Sequence, residues 1–222
     1  MKKHIKKRRS SGKYKYFTLT HSSKKYNGWN NRYSPKANIH GICYKNAYFY
    51  NDRFHSCILT DCNFSYATLF GVDFICCNLK KSSFKNSILH NVTFFNCNVA
   101  GADFCDAKFN NVVFMSMNLN GANNMSQHQG YEVINTYPSC VDENIKQIVL
   151  KLSSIEECYK YRVLNVDKNK INAWYLSLLL KYYKDDKKMV LNALEAIYEE
   201  KIHKKMLTLY SYKNYIDNYK NI

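Results

Sequence analysis

The feature that most constrains the fold is a repeat of five residues in the middle of the chain. In NVTFFNCNVAGADFC (residues 91–105), a small residue stands two places before a larger apolar one, as Val92 does before Phe94. The register holds for about 18 pentapeptides, from residue 36 to residue 125. Neither a helix, with a period of 3.6 residues, nor a strand, with a period of 2, produces this pattern. The chain is therefore predicted to turn a corner every five residues.

A second period of twenty residues lies on top of the first, because large apolar residues match at every fourth pentapeptide. Four pentapeptides thus make one coil. Two side chains of each five point inward, and the coils stack about 4.8 Å apart through backbone hydrogen bonds. The predicted core consists of the large residues Phe54, Leu59, Phe64, Leu69, Phe74, Leu79, Phe84, Leu89, Phe94, Val99, Phe104, Phe109, Phe114 and Leu119.

These pentapeptides resemble a known family. The stretches CNFSY, VDFIC, CNLKK, CNVAG, ADFCD and MNLNG are similar to the A-(D/N)-L-X-X motif of pentapeptide-repeat proteins. The resemblance covers about 40% of the chain. It implies a right-handed quadrilateral parallel β-helix of about 4.5 coils, within a fold that is mainly β plus α. It says little about activity, because one fold supports many functions.

Composition divides the chain into four segments. Residues 1–35 carry 11 Lys and Arg and no acid, and are predicted to be a flexible basic segment. Residues 36–125 are the repeat, and residues 126–138 are predicted to be a linker. Residues 139–222 contain no glycine and place apolar residues at helical spacing. We expect a C-terminal helical bundle of five helices that caps the strand edges of the last coil.

The cysteines are predicted to be structural. Cys57, Cys77 and Cys97 stand twenty residues apart in one inward column, and Cys62 fills a small position in another. A buried free cysteine behaves as a small apolar residue. No CxxC pair and no Cys/His cluster with zinc spacing is present in the sequence, so we predict no metal and no cofactor.

We find no motif for catalysis. The sequence lacks a phosphate-binding loop, a nucleophile elbow and HExxH. His55 and His90 follow large inward residues and are expected to face solvent. Cys158 has helical spacing with Ile155, which favours a buried thiol over a nucleophile. A non-enzymatic protein is the prediction.

The basic N-terminal segment is the candidate site for membrane or nucleic-acid contact. It also interleaves aromatic residues, among them Tyr26, Trp29 and Tyr33, which suit stacking on bases. Three interpretations stay open: a solvated or export segment, a contact with anionic lipid, and a contact with nucleic acid. The candidate contact residues are Lys2, Lys3, Lys6, Lys7, Arg8 and Arg9.

The leading functional hypothesis rests on resemblance. A solenoid followed by helices is similar to the pentapeptide-repeat effectors of type III secretion systems, and IKQIVLKLSSIEECYKYRVLNV is similar to the short helices that follow the repeats there. This resemblance implies a protein made in the bacterial cytoplasm and secreted into a host cell, where it binds a host protein or a membrane. The N-terminus lacks the apolar core of a Sec signal peptide, and the longest apolar run, AWYLSLLL, is too short to span a membrane.

Two alternatives come from other classes. Quinolone-resistance pentapeptide proteins bind DNA gyrase as acidic mimics of DNA, whereas this chain has a net charge of +16. Some larger effectors add a HECT-like ubiquitin ligase, but the roughly 97 residues after the repeat are too few for its two lobes. A minimal ligase that uses Cys158 is the third hypothesis. The acids predicted to face outward from the repeat are Asp52, Asp61, Asp73, Asp103 and Asp106.

Overall fold

The structure is a computed structural model that describes residues 18–22, 24–125, 129–138, 142–184, 186–201 and 205–220. The chain forms two compact units that divide between Asn135 and Thr136. The first unit is a β-solenoid and the second is mostly helical. No helix among the described residues is long and apolar enough to cross a membrane.

Short parallel strands build the solenoid. Arg53–Asp73, Phe54–Phe74 and His55–Ile75 are Cα partners, so that consecutive coils differ by twenty residues, as the sequence predicts. The strands are β1 (Thr18–Thr20), β2 (Tyr33–Pro35), β3 (Asn38–His40), β4 (Tyr48–Tyr50), β5 (Arg53–His55), β6 (Thr68–Phe70), β7 (Asp73–Ile75), β8 (Ile88–Phe95), β9 (Lys108–Met115) and β10 (Tyr131–Ile134).

The solenoid has about six turns, so the predicted 4.5 coils are too few. Strand β1 pairs with β3 in register Thr18↔Asn38, which adds residues 18–35 to the N-terminal end. Strand β10 pairs with β9 in register Tyr131↔Val112, which adds a partial coil within the predicted linker. The boundaries at 36 and 125 were too narrow because backbone pairing continues where the side-chain pattern stops.

The corners of each coil have a regular backbone conformation. A residue with positive φ recurs every fifth position, including Asn46 at 60°, Asn51 at 51° and Gly41 at 62°. This left-handed region favours Gly and Asn, which explains their abundance at the corners. Asparagines before a large residue add a second turn contact, as where Asn98 Oδ1 accepts a hydrogen bond from the Ala100 N–H at 3.1 Å.

Stacked rings fill the interior. Phe54, Phe74, Phe94 and Phe114 stack along the solenoid with ring centroids 5.0, 5.0 and 4.8 Å apart. Twelve of the fourteen predicted core residues are buried, and Phe109 and Leu119 are partly buried against the same core. Offset and edge-to-face aromatic contacts of this kind stabilise a core beyond the area that they bury.

The second unit contains five helices and one hairpin among its described residues. Asp142 caps the first helix by accepting hydrogen bonds from the N–H groups of Asn144 and Ile145, and Thr208 forms a capping box at the last. The elements are α1 (Glu143–Leu152), α2 (Glu156–Tyr159), β11 (Asn165–Asp167), β12 (Lys170–Ile171), α3 (Ala173–Tyr182), α4 (Lys187–Glu199) and α5 (Leu209–Tyr219). Apolar side chains of α1 and α4 form the centre of this unit.

Candidate interaction surface

The N-terminal contact residues Lys2, Lys3, Lys6, Lys7, Arg8 and Arg9 lie outside the described residues. Two of the aromatic residues in that prediction, Tyr26 and Trp29, do not form a free stacking surface. Trp29 packs against the solenoid core, with its ring centroid 5.7 Å from that of Tyr44 and 5.4 Å from that of Phe54. Tyr26 is also half-buried on this core. The hypothesis that Trp29 and Tyr26 stack on bases is therefore wrong, because Trp29 covers the end of the ring stacks.

The solenoid has four faces, which we name by one inward residue each: the Ile39, Tyr44, Phe49 and Phe54 faces. Their outward positions differ in chemistry. The Ile39 and Tyr44 faces carry mainly polar outward residues. Several of their asparagines accept a hydrogen bond from the backbone N–H of the residue two positions later. Apart from Ile58, which is 44% exposed, the outward residues of these two faces are typical of a solvated surface.

The Phe54 face is not a free surface. Its outward residues Arg53 and Asp73 are only 2% and 1% exposed and form an ion pair with an N···O distance of 2.6 Å. Thr93 and Val113, at the same position in later coils, are buried as well. The prediction that Asp73 is an outward surface acid was therefore wrong.

Asp52 was also predicted as an outward acid, but it occupies a small inward position and is 1% exposed. Its Oδ1 accepts a hydrogen bond from the Arg32 N–H at 2.7 Å, whereas its Oδ2 has no hydrogen-bond partner among the described residues. Burial raises the pKa of the Asp52 carboxyl from 3.8 to about 7. The Asp52 carboxyl therefore keeps its proton to a much higher pH than an exposed aspartate does.

A cluster of Thr60, His40 and Asp61 on the Ile39 face invites comparison with a catalytic triad. Thr60 Oγ1 lies 2.5 Å from His40 Nδ1, and Asp61 Oδ2 lies 3.5 Å from the same nitrogen. A relay needs the hydroxyl and the carboxylate on opposite ring nitrogens. This geometry does not support nucleophilic catalysis.

The inward thiols act as small hydrogen-bonding core groups. The Cys57, Cys77 and Cys97 thiols each donate to a carbonyl of the previous coil, as Cys57 does to the Ser34 carbonyl at 2.9 Å. Burial raises the pKa of the Cys77 thiol well above 9.0 and that of Cys158 to about 11. Thiols with raised pKa are poor nucleophiles, so the environment of Cys158 argues against the ligase hypothesis. No group of three His, Cys, Asp or Glu side chains suited to a metal ion occurs among the described residues.

The Phe49 face carries exposed apolar side chains. Tyr48, Thr68, Ile88 and Lys108 occupy the same outward position in consecutive coils, as the Cα partners Tyr48↔Thr68, Thr68↔Ile88 and Ile88↔Lys108 show. Tyr48 and Ile88 are 48% and 45% exposed. At the adjoining corner Tyr66 is 54% exposed. We call these five residues the exposed strip.

Two features border the exposed strip. Lys45 Nζ lies 5.3 Å from the centroid of the Tyr66 ring, within the range of a cation–π contact. On the other side, half-buried rings of Tyr50, Phe70 and His90 stack along the coils, with centroids 5.7 and 4.6 Å apart. His90 and His55 were expected to face solvent, but both make side-chain contacts, His55 Nδ1 lying 3.2 Å from the Tyr33 hydroxyl.

Sequence reasoning missed the exposed strip because it examined charges and titratable groups. The sequence does contain an indication of this surface. The outward positions of the Phe49 face are Tyr48, Thr68 and Ile88, whereas those of the Ile39 and Tyr44 faces are mainly asparagine and serine. β-Branched and aromatic residues at outward positions are typical of a flat strand surface.

The fold and this surface define a class: proteins built on a parallel solenoid with five-residue sides. Within this class, residues 47–86 and 87–123 match the family of pentapeptide repeats, with eight copies. The solenoid is a pentapeptide-repeat domain, as its sequence predicts. Proteins with such repeats are generally non-enzymatic structural or interaction proteins.

Solved structures of pentapeptide proteins are similar to parts of this chain. The plasmid-mediated fluoroquinolone resistance protein QnrB1 is 23% identical over 43% of this chain and 58% of its own, with a TM-score of 0.25. Rfr23 from the cyanobacterium Cyanothece 51142 is 15% identical over 49% and 82%, with a TM-score of 0.27. A protein of the Arabidopsis thaliana thylakoid lumen is 21% identical over 42% and 63%, with a TM-score of 0.21. The chain spans less than two thirds of that QnrB1 structure, and no curated protein matches its sequence.

Proposed function

We propose that this protein is a non-enzymatic binding protein whose solenoid presents the exposed strip to a partner protein. The observation that carries the proposal is the exposure of Tyr48 and Ile88 on the Phe49 face and of Tyr66 at its adjoining corner. Aromatic residues are enriched in protein–protein interfaces, and neighbouring exposed apolar side chains mark an interaction site more often than a single one does. The thiols and the Thr60 cluster described above offer no competing catalytic centre.

Affinity capture tests this proposal with a variant that the chain itself suggests. Tyr48→Thr/Ile88→Thr places at both positions the residue that already stands between them, Thr68, so the coils should remain intact. The control is Ile58→Asn, which removes an equally exposed apolar residue, 44% exposed, from the Ile39 face. Its column neighbours Asn38 and Asn78 show that Asn fits there.

The expected result is a captured protein that binds the wild-type chain and Ile58→Asn but not the double variant. Circular dichroism must show the same unfolding temperature for all three proteins within about 3 °C. Identical captured proteins for the wild-type chain and the folded double variant would exclude the exposed strip as the binding surface.

We further propose that the protein is a secreted effector and that residues 1–17 direct its export. The support is compositional: this stretch contains eight Lys and Arg and no acid. Fusion of residues 1–17 to a reporter should cause its secretion by a strain with an active type III system. Secretion that is unchanged when these residues are deleted from the full chain would exclude this role.

A gyrase-binding role is less well supported. Within residues 36–125, the acids that remain at the surface are Asp61, Asp103 and Asp106, and Asp103 is paired with Lys85 at 2.9 Å. An acidic rod that resembles DNA needs continuous negative charge. A gyrase supercoiling assay with the full chain distinguishes gyrase binding from binding of another partner. Inhibition at submicromolar protein would favour gyrase as the partner.

A further inference from the structure

We propose that the exposed strip binds an acidic amphipathic helix of its partner, laid along the axis of the solenoid. This inference rests on the proposed binding function and specifies the partner. The helix would place apolar side chains over Tyr48, Thr68 and Ile88, and carboxylates beside Lys45 and Lys108.

The spacing of the strip favours a helix. Consecutive coils lie about 4.8 Å apart, so Tyr48 and Ile88 are separated by about 10 Å along the axis. On an α-helix, residues i and i+7 lie on the same face and about 10.5 Å apart, with i+3 or i+4 between them. Three apolar residues on one helical face therefore match three consecutive coils. The small side chain of Thr68 leaves room between its larger neighbours for the middle residue.

An added strand does not fit this surface. Strand addition needs backbone N–H and C=O groups at a free sheet edge. Here Thr68 is a Cα partner of both Tyr48 and Ile88 in parallel ladders, so backbone groups of these coils already bind each other. The strip offers side chains from the flat side of a sheet, which is the kind of surface on which a helix packs.

Charge selects an acidic partner over a second copy of the chain. The exposed cations Lys45 and Lys108 lie at the two ends of the strip, and neither forms an ion pair among the described residues. A second copy of the chain would bring the same lysines to this surface, whereas an acidic helix brings carboxylates that attract them. Asp106, at the corner next to Lys108, offsets part of the positive charge of that lysine. We therefore expect the carboxylates of the partner to lie near Lys45 and on the side of Lys108 that faces away from Asp106.

The test is a selection from a displayed library of helix-forming 18-residue peptides on the full chain. Counter-selection uses Tyr48→Thr/Ile88→Thr. The enriched peptides should be net acidic, with apolar residues at i, i+4 and i+7. Fluorescence anisotropy of a synthetic winner should show binding at least tenfold weaker to the double variant, two- to fivefold weaker to Lys45→Gln/Lys108→Gln, and unchanged to Ile58→Asn.

Enrichment of basic or non-periodic peptides would overturn the inference, as would equal binding to the double variant or a library that yields no strip-dependent binder. In each case the capture experiment still decides the general function. A captured protein lost in Tyr48→Thr/Ile88→Thr, together with a failed selection, means that the strip binds a protein of different geometry. Failure of both experiments rejects the strip as a binding surface.

Discussion

Replacing Asp52 with Val should stabilise the solenoid, and the gain should grow as the pH rises from about 4 to about 7. Asp52 is 1% exposed and occupies the small inward position that Val72, Val92 and Val112 fill in the next three coils. The variant therefore gives the coil of Asp52 the same residue, Val, that the next three coils have at this position. It replaces a carboxyl whose Oδ2 has no hydrogen-bond partner among the described residues by a side chain that buries without that penalty.

The magnitude follows from the pKa of Asp52. Burial raises it from 3.8 to about 7, so the folded state holds the proton more tightly than the unfolded state. In the parent protein, the contribution of Asp52 to the free energy of unfolding is fully present below about pH 4. It is lost as the pH rises towards 7, where the buried carboxyl ionises. A rise of this size corresponds to roughly 4 kcal/mol. Loss of the hydrogen bond from the Arg32 N–H offsets about 1 kcal/mol of the gain in the variant.

Urea unfolding monitored by tryptophan fluorescence measures the effect. In a Trp174→Phe background the signal comes from Trp29, which packs on the solenoid core. Between pH 4.5 and pH 8 the free energy of unfolding of Asp52→Val should rise relative to the parent by about 2 to 4 kcal/mol. Asp106→Asn, which removes an exposed acid, is the control and should show a change below about 0.5 kcal/mol. Parallel pH profiles for the parent and Asp52→Val would refute the argument.

Three further changes test the fold. Phe74→Ala removes a fully buried ring from its stack and should lower the free energy of unfolding by about 3 to 5 kcal/mol. The surface substitution Asn78→Ala should lower it by about 1 kcal/mol. Equal losses in urea unfolding would reject the predicted register of inward residues. Ser56→Asn should add about 0.5 kcal/mol, because Ser56 has a φ of 56° that Asn adopts more readily, as Asn96 does at the same position two coils later; a lower unfolding temperature would contradict this. Deletion of residues 2–17 should leave the unfolding temperature nearly unchanged, whereas deletion of residues 2–35 should lower it by several degrees, because only the longer deletion removes Trp29 from the core. Equal melting of both truncated chains would contradict the assignment of residues 18–35 to the solenoid.

The inward columns of the solenoid follow directly from the sequence, because steric fit repeats every twenty residues. The ends do not. Strand β1 places Leu19 opposite Ile39 at the twenty-residue offset, but Lys24 and Ser34 interrupt the large positions of its coil, so the motif is not recognised there. At the other end β10 pairs at an offset of nineteen residues, not twenty, so a fixed frame cannot find it. Backbone hydrogen bonding, which is independent of side-chain identity, extends the fold beyond its pattern.

The side chains at individual positions were harder to predict than the columns. A five-residue frame labels Asp73 as outward, and outward acids are normally solvated. In the structure Asp73 is buried in an ion pair with Arg53. The two residues lie twenty positions apart, in consecutive coils, so the pair is not visible when each coil is examined alone. The frame does place Asp52 inward, but sequence reasoning counted it among the surface acids because a buried carboxyl is rare.

The four faces of the solenoid differ in their outward residues and in the backbone structure beneath them. On the Ile39 and Tyr44 faces, the residue before the large one is mainly Asn, Ser or Asp, and side chains such as Asn98 and Asp103 accept a hydrogen bond from the N–H two residues on. These faces are built around turn contacts. The Phe49 and Phe54 faces are built from strand ladders, and β-branched or aromatic residues fit their flat surfaces.

Apolar side chains on a flat strand surface are stabilised when they are covered, either within the chain or by another molecule. On the Phe54 face the outward residues Thr93, Val113 and Ile75 are already buried, whereas on the Phe49 face Tyr48 and Ile88 are nearly half exposed. Strand propensity alone accounts for the residue types on both faces, but it does not account for the exposure on one of them. We therefore expect the exposed strip to be the surface that binds the proposed partner, and substitutions there should change binding while leaving the coils intact.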